Sequence, residues 1–423
     1  MAPCRIGIEL EFMVATLEGG KKSTKHKDSR WPDSPNNQHI TDNGIYGNNL
    51  CQQVVCHALA SCGLPTARVA EANALQDDPD SVEDQPHRVI NIGNGTRQYR
   101  IWNPDKAGTG GKEEQFNYWF VTHEASVTSD IEGGPIKPPP GYRWYAVEVN
   151  SPIISSREEL NEKLPTLRRA LSSIRNNVKV WLNSECGFHI HVSPADGDLG
   201  LLVARRLAAM VFLVEQSLLL KLCHPSRQKS VYTRAISTDS KIAVDAALAA
   251  GSEADPVHGT ELNVVSAFRT AKKQGVSSDE PRIFRALCAI LAAPDMESLA
   301  EKLRAPKKES SAAPDAGKCG LAISNFGTVE FRYPEATFDV DFLSLWVDLV
   351  REIFTWAAAP EKIYRVKLCD LYALAADSMK LGWIHWLHAL ELYEQAEFCK
   401  KQVSRYSGDL KDLNKGGILP RVG

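Results

Sequence analysis

Apolar and polar residues alternate through RIGIELEFMVA (residues 5–15), the period-two pattern of a strand with one face on a core. The alternation returns in QFNYWFVTHEASV (115–127), YRWYAVEVNSPII (142–154), VKVWLN (178–183) and GFHIHVS (187–193). Two further short strands are predicted in GLAISNF and GTVEFRYPEA (320–336), around Gly327. Helical spacing takes over in NNLCQQVVCHALASCG (48–63), where Gly63 and Pro65 supply the stop. Ser156 and Glu159 form a capping box ahead of EELNEKLPTLRRALSSIRNN (158–177), which reads as one helix with Pro165 inside its pattern. From 199 to about 304 the pattern is mainly helical, interrupted by the basic loop HPSRQKSVYTR (224–234), and beyond about residue 338 it is helical again. The stretches 21–37, 108–111 (GTGG), 133–141 (GGPIKPPPG), 305–318 and the tail 407–423 read as loops and linkers.

Strands come in groups and helices in groups, and no repeat of 20 to 50 residues stands out. This order predicts an α+β fold with a largely antiparallel sheet rather than a doubly wound parallel one. The sheet must be assembled from segments scattered along most of the chain.

Composition narrows the class. Of the 423 residues, 43% are hydrophobic and 24% charged, as in globular proteins, and the net charge of −3 gives no reason to expect nucleic acid or an anionic membrane as partner. The longest apolar stretch, 199–223, contains Arg205, Arg206, Glu215 and Lys221, so it is expected as a core helix and not a membrane span. The opening residues MAPCRIGIELEF lack the basic region and long apolar core of a secretory signal, and the ten cysteines show no CxxC pair. A cytoplasmic protein with reduced, mostly buried thiols is expected.

Four of the strand candidates share one oddity. Each puts two polar groups at i and i+2, hence on one face: Glu9 and Glu11, Glu148 and Asn150, His189 and His191, Glu330 and Arg332. Any single pair fits a solvated strand face. Taken together, carboxylates on neighbouring strands repel unless a cation sits among them, and hard ions such as Mg²⁺ or Mn²⁺ take carboxylate oxygens, Mn²⁺ tolerating imidazole. A guanidinium in the same concavity is no metal ligand but suits phosphate. The set describes a site for a metal–nucleotide complex on one sheet face.

In this order GIELEF, VEVNSPI, CGFHIHV and TVEFRYPEAT resemble the amidoligases of the glutamine synthetase and glutamate–cysteine ligase superfamily. WFVTHEASV (119–127) resembles a further short segment of that family, with Glu124 where Asp is usual. The resemblance implies a glutamine-synthetase-like curved, mainly antiparallel sheet with helices on its convex side. It implies a catalytic domain over residues 1–358 with a helical insertion at about 199–304, and a C-terminal helical extension at 359–423. It also implies an ATP- and Mg²⁺- (or Mn²⁺-) dependent ligase that joins a small-molecule or peptide carboxylate to an amine through an acyl phosphate. Carried over, Glu9, Glu11, Glu148, His189 and Glu330 would hold metal. His191 would contact the nucleotide phosphates, and Arg332 would neutralise the transferring phosphoryl group, with Asn150 and Arg227 as further nucleotide contacts. Glu330, Arg332 and His191 are the catalytic candidates. Neutralising Glu9 or Glu330 is expected to remove activity while leaving the fold intact or more stable.

Other assignments stay open on the residues alone. Arg227 and Arg234 fit either a solvated loop or an anion contact, Asn150 and Ser151 fit a strand end, and Asn325 fits a turn with Gly327. The helical WIHWLHALELYEQAEF (383–398) is expected in the core, with His385 and His388 as packing partners. Two functions compete with the ligase: a metal-dependent amide or phosphoester hydrolase without nucleotide, and a non-catalytic binding protein. The identity of the substrates and the oligomeric state are not legible in the sequence.

Overall fold

The fold is taken from a computed structural model that describes residues 4–18, 41–42, 47–69, 87–93, 95–103, 114–127, 142–183, 185–230, 233–249, 278–306, 317–377, 379 and 381–413. The loops expected at 21–37, 108–111 and 133–141, the middle of the linker (307–316) and the end of the tail (414–423) lie outside the described residues. The chain forms two units. A strand-rich unit takes Gly7–Phe188, Glu335–Ser344 and Lys411–Gly423, and a helical unit takes Met1–Ile6, His189–Pro334 and Leu345–Leu410.

In the strand-rich unit the strands are β1 (Cys4–Glu18, from Gly7 onward), β2 (Thr41–Asp42), β3 (Thr66–Val69), β4 (His87–Ile92), β5 (Arg97–Trp102), β6 (Trp119–His123), β7 (Tyr142–Asn150) and β8 (Val180–Trp181). They lie in the order β1-β7-β6-β3-β5-β4, with β2 and β8 paired to β1. The alternation predicted for β1 is real as far as Leu10: Ile6, Ile8 and Leu10 are buried, while Gly7 and Glu9 are half-buried. From Glu11 to Thr16 every side chain is buried. Pairing is antiparallel for β1–β7, β6–β7, β1–β8 and β4–β5, but β3 runs parallel to both β5 and β6, so the sheet is mixed. The cause is topological. β4 and β5 form a hairpin, and β5, the returning strand, is the one that lies against β3. The helix Gly47–Ser61 covers β3, β6 and β7 with Val55, Cys56 and Leu59 buried.

The predicted helix around Pro165 is in fact two. Ser156 caps a single turn, Arg157–Asn161, by accepting from the Glu159 N–H at 3.0 Å. The Glu159 carboxylate bonds Thr166 and so braces the next helix. Lys163 and Leu164 take positive φ (58° and 57°), and Pro165 opens a new helix, Pro165–Asn177. Proline is tolerated at a first helical position because the missing N–H has no intrahelical partner there.

The helical unit contains β9 (Phe188–Pro194, from His189), β10 (Leu321–Ile323) and β11 (Val329–Phe331), antiparallel in the order β10-β11-β9. Asn325 is exposed in the β10–β11 turn, where Gly327 takes φ 69°, as the turn reading expected. The apolar stretch forms the helix Leu201–Val214, continued by a π turn, Glu215–Leu219. Residues 206–215 are buried throughout, and the guanidinium of Arg206 lies 4.5 Å from the centroid of the Tyr364 ring. Among the described residues no helix is long and apolar enough to cross a membrane. All ten cysteines are free thiols, and eight are buried. The helix Trp383–Ala389 buries Trp386 and Leu387.

Candidate active site

In the strand-rich unit, Glu11 and Glu148 stand directly opposite each other across the β1–β7 ladder, and Glu9 stands opposite Asn150. Like charges at paired positions repel. The chain leaving β6 adds Glu124, whose N–H donates to the Ala146 carbonyl at 3.3 Å. Glu11, Glu124 and Glu148 each present a carboxylate oxygen, and the three oxygens lie within 4.8 Å of one another. The Glu148 carboxyl is pushed well above its ordinary range, first by burial and then by Glu9, Glu124 and Glu11. The Asn150 amide donates to Glu148 Oε1 at 2.8 Å and opposes that shift.

Backbone donors aim these carboxylates. Glu11 Oε2 accepts from the Gly187 N–H at 2.7 Å, and Glu124 Oε1 accepts from the Ser126 N–H at 2.6 Å. Ser151, at the end of β7, accepts from the Ile8 N–H through its hydroxyl at 3.0 Å and so locks the start of β1. The outcome is a set of oriented oxygens with surplus negative charge. Hard divalent cations favour that donor set.

The helical unit gathers the opposite charge. Glu330 is the register partner of His191 in the β9–β11 ladder, and each offers a ligand atom within 4.8 Å of the other. Around the Glu330 carboxylate, His189 Nδ1 lies 3.7 Å from Oε1, Lys318 Nζ lies 3.7 Å from Oε2, and the Arg332 guanidinium donates to Oε1. His189, His191, Glu330 and Arg332 are all buried, whereas Lys318 is partly exposed. His191 Nδ1 and the Thr328 hydroxyl are hydrogen-bonded at 2.8 Å.

Arg332 lies just beyond β11, and three contacts hold that segment. Its N–H donates to the Gly320 carbonyl at 2.8 Å, and its carbonyl accepts from Arg227 Nη2 at 3.3 Å. The next residue, Tyr333, donates its hydroxyl to Glu215 Oε1 at 2.6 Å. The Tyr333 ring lies against Gly320, where an added Cβ would fall 2.2 Å from a ring carbon, so only glycine permits this approach. Glu215 is wholly buried and accepts from the Ile236 and Ser237 N–H groups at 2.8 and 2.7 Å. Burial pushes its carboxyl up to about 7.

Several expectations change in detail. Arg227 is not a solvated loop residue: it is fully buried and braces Arg332 from behind, through the backbone. Asn150 is engaged with Glu148. Glu330 is bordered by Arg332, Lys318 and His189, so removing its charge strands a buried guanidinium; a gain in stability no longer follows. Sequence reasoning missed Lys318, which closes a low-complexity linker and reads as solvated charge. It also missed the bracing role of Glu215, whose only signal was an acid inside an apolar run.

A family model described as "putative amidoligase enzyme" matches residues 66–255, just under half of the chain. The matched stretch carries Glu124, Glu148, Asn150, His189, His191 and Arg227, while Glu9, Glu11, Lys318, Glu330 and Arg332 lie outside it. No curated protein matches the chain.

Proposed function

We propose that this protein, whose residues 66–255 match the putative amidoligase model, is an ATP- and divalent-metal-dependent carboxylate–amine ligase that forms an amide or peptide-like bond through an acyl phosphate. The observation that carries the reading is the buried Arg332 guanidinium grouped with Lys318 and His189 around one carboxylate, a cluster suited to phosphate. A second cluster, Glu11, Glu124 and Glu148, has the oxygen donors for Mg²⁺ or Mn²⁺.

Bound Mg²⁺–ATP would supply the phosphoryl group that turns a carboxylate into an electrophile. The chain's own contribution is positioning and charge. Glu11, Glu124 and Glu148 hold the metal, with Glu9 adding negative charge beside them. Arg332 offers two parallel N–H donors to phosphate oxygens, and Lys318 adds a point charge. Within the helical unit His191 would contact phosphate and His189 would ligate a metal beside Glu330, the carboxylate that keeps Arg332 oriented. Arg227 and Asn150 act through Arg332 and Glu148. The acceptor is an amine and the donor a carboxylate, each on a small molecule or peptide. The same reading takes residues 1–358 as a catalytic domain with a glutamine-synthetase-like curved sheet and a helical insertion at about 199–304. It takes 359–423 as an extension of that domain.

Calorimetry of ATP binding, with Mg²⁺ or Mn²⁺ and then with chelator, tests this. ATP binding that requires the metal, weakens at least tenfold in Arg332→Lys and loses its metal requirement or disappears in Glu148→Gln is expected. Arg332→Lys keeps the charge and loses the planar fork. Metal binding without ATP binding would replace the ligase by the hydrolase, and binding of neither would leave a non-catalytic protein.

A further inference from the structure

A cavity of about 460 Å³ opens in the helical unit, and none of the candidate-site residues lines it. Its apolar wall includes Phe212, Trp383 and Trp386. Its polar wall carries two cations, Lys221 and Arg282, and two anions, Asp279 and Asp377. The volume lies within the range of small-molecule sites, about 300–1,000 Å³.

The wall is braced. The Arg282 guanidinium donates to the Ser237 carbonyl at 2.8 Å, and the Gln216 amide donates to the Ser237 hydroxyl at 3.1 Å. Ser237 is itself buried, and Glu215 fixes it through its N–H. Gln216 and Ser217 reach the cavity from the π turn Glu215–Leu219, and π turns within helices recur at functional sites.

We propose that this cavity binds a zwitterionic ligand of about dipeptide size with apolar side chains. The charge pattern selects the class. A carboxylate meets Lys221 and Arg282, and an ammonium meets Asp279 and Asp377. The aromatic wall takes the side chains. A purely anionic ligand would be repelled by the two aspartates. An uncharged apolar ligand would offer no partner to any of these four groups, of which Lys221 and Asp279 are exposed.

The test is calorimetry on the full chain with the dipeptide leucyl-phenylalanine, and with the same dipeptide N-acetylated and C-amidated. Saturable binding of the zwitterion is expected, at least tenfold tighter than the blocked form. Lys221→Gln changes an exposed position, so it tests the carboxylate contact without threatening the core, and a tenfold loss is expected there. Trp383→Ala is expected to weaken binding by a similar factor. No saturable binding at millimolar dipeptide would overturn the proposal, as would equal binding of the blocked form. Binding lost in Arg332→Lys yet intact in Lys221→Gln and Trp383→Ala would place the peptide at the candidate active site and also overturn it. Failure of ATP binding alone would touch the ligase reading and not this one.

Discussion

The guanidinium of Arg332 donates to the carboxylate of Glu330, and both side chains are almost wholly buried. Removing one partner of a buried ion pair leaves the other charge desolvated and uncompensated, at a cost of about 3–5 kcal/mol. Lys318 borders the same carboxylate, so its charge adds to that cost. Glu330→Gln is therefore expected to lower the unfolding free energy by about 3 kcal/mol or more. Urea unfolding of the two proteins at neutral pH measures this. A variant as stable as the parent would show that the pair contributes nothing net and that Arg332 finds another partner.

The carboxylates of the strand-rich unit give the opposite sign. Glu148 faces Glu11 across the ladder and feels Glu9 and Glu124 as well. Glu148→Gln removes a charge that burial and the neighbouring carboxylates disfavour, and its new amide can donate to one of them. Without metal, the variant is expected to melt about 1 °C above the parent, the response to roughly 1 kcal/mol in a chain of 423 residues. With millimolar Mg²⁺ or Mn²⁺ the parent gains stability by mass action and the variant gains little. Thermal scans with metal and with chelator check both halves. Equal metal stabilisation in the two proteins would remove Glu148 from the metal site.

Lys318 carries the third expectation. Its ammonium lies 3.7 Å from the buried Glu330 carboxylate, yet its side chain keeps 22% of its exposure, so it can turn to an incoming phosphate. Lys318→Gln is expected to weaken ATP binding about tenfold while shifting unfolding by less than about 1 kcal/mol, since partly exposed ion pairs contribute little to stability. The parent's ATP affinity is also expected to fall more steeply with salt than the variant's. Parallel salt titrations that superimpose would assign Lys318 to the surface.

What the sequence makes legible follows from which physical rule each feature obeys. Glu9, Glu11, Glu148, His189, His191 and Glu330 stand out because the two-residue strand period forces them onto shared faces, whatever the pairing. β3 is too short for alternation to show: its four residues follow directly on the stop at Gly63 and Pro65 and are not among the predicted strands. Pairing direction, here parallel to both neighbours, is not encoded in alternation at all. The break at Pro165 was hidden because a capping box and helical spacing flank it on both sides, although Lys163 and Leu164 leave the helical region. The polar sequence neighbours of Arg227 leave a solvated loop and an anion contact both open. Arg227 is buried and donates to a distant carbonyl, that of Arg332, which no local pattern reports. Glu124 was visible only as a departure from a familiar segment, and its closeness to Glu11 and Glu148 arises from the pairing of β6 with β7 and of β7 with β1.

Glu215 links the π turn to Tyr333 and to the loop at Ile236 and Ser237, and its pH dependence has a definite sign. Its carboxyl rises from an ordinary 4.5 to about 7 in the fold because burial disfavours the charged form. Between those values the folded protein binds more protons than the unfolded chain, so stability falls as pH rises. The neutral acid stabilises fully below about pH 4.5, and by pH 8 the contribution is lost, a difference on the order of 3 kcal/mol. Glu215→Gln is always neutral and keeps a carbonyl for one of the backbone donors. The parent-minus-variant difference in unfolding free energy is therefore expected to decline between pH 5 and pH 8. Urea titrations at those two values measure it. A difference that stays flat would show that Glu215 is ionised in the fold at both values, held so by its three donors against the burial penalty.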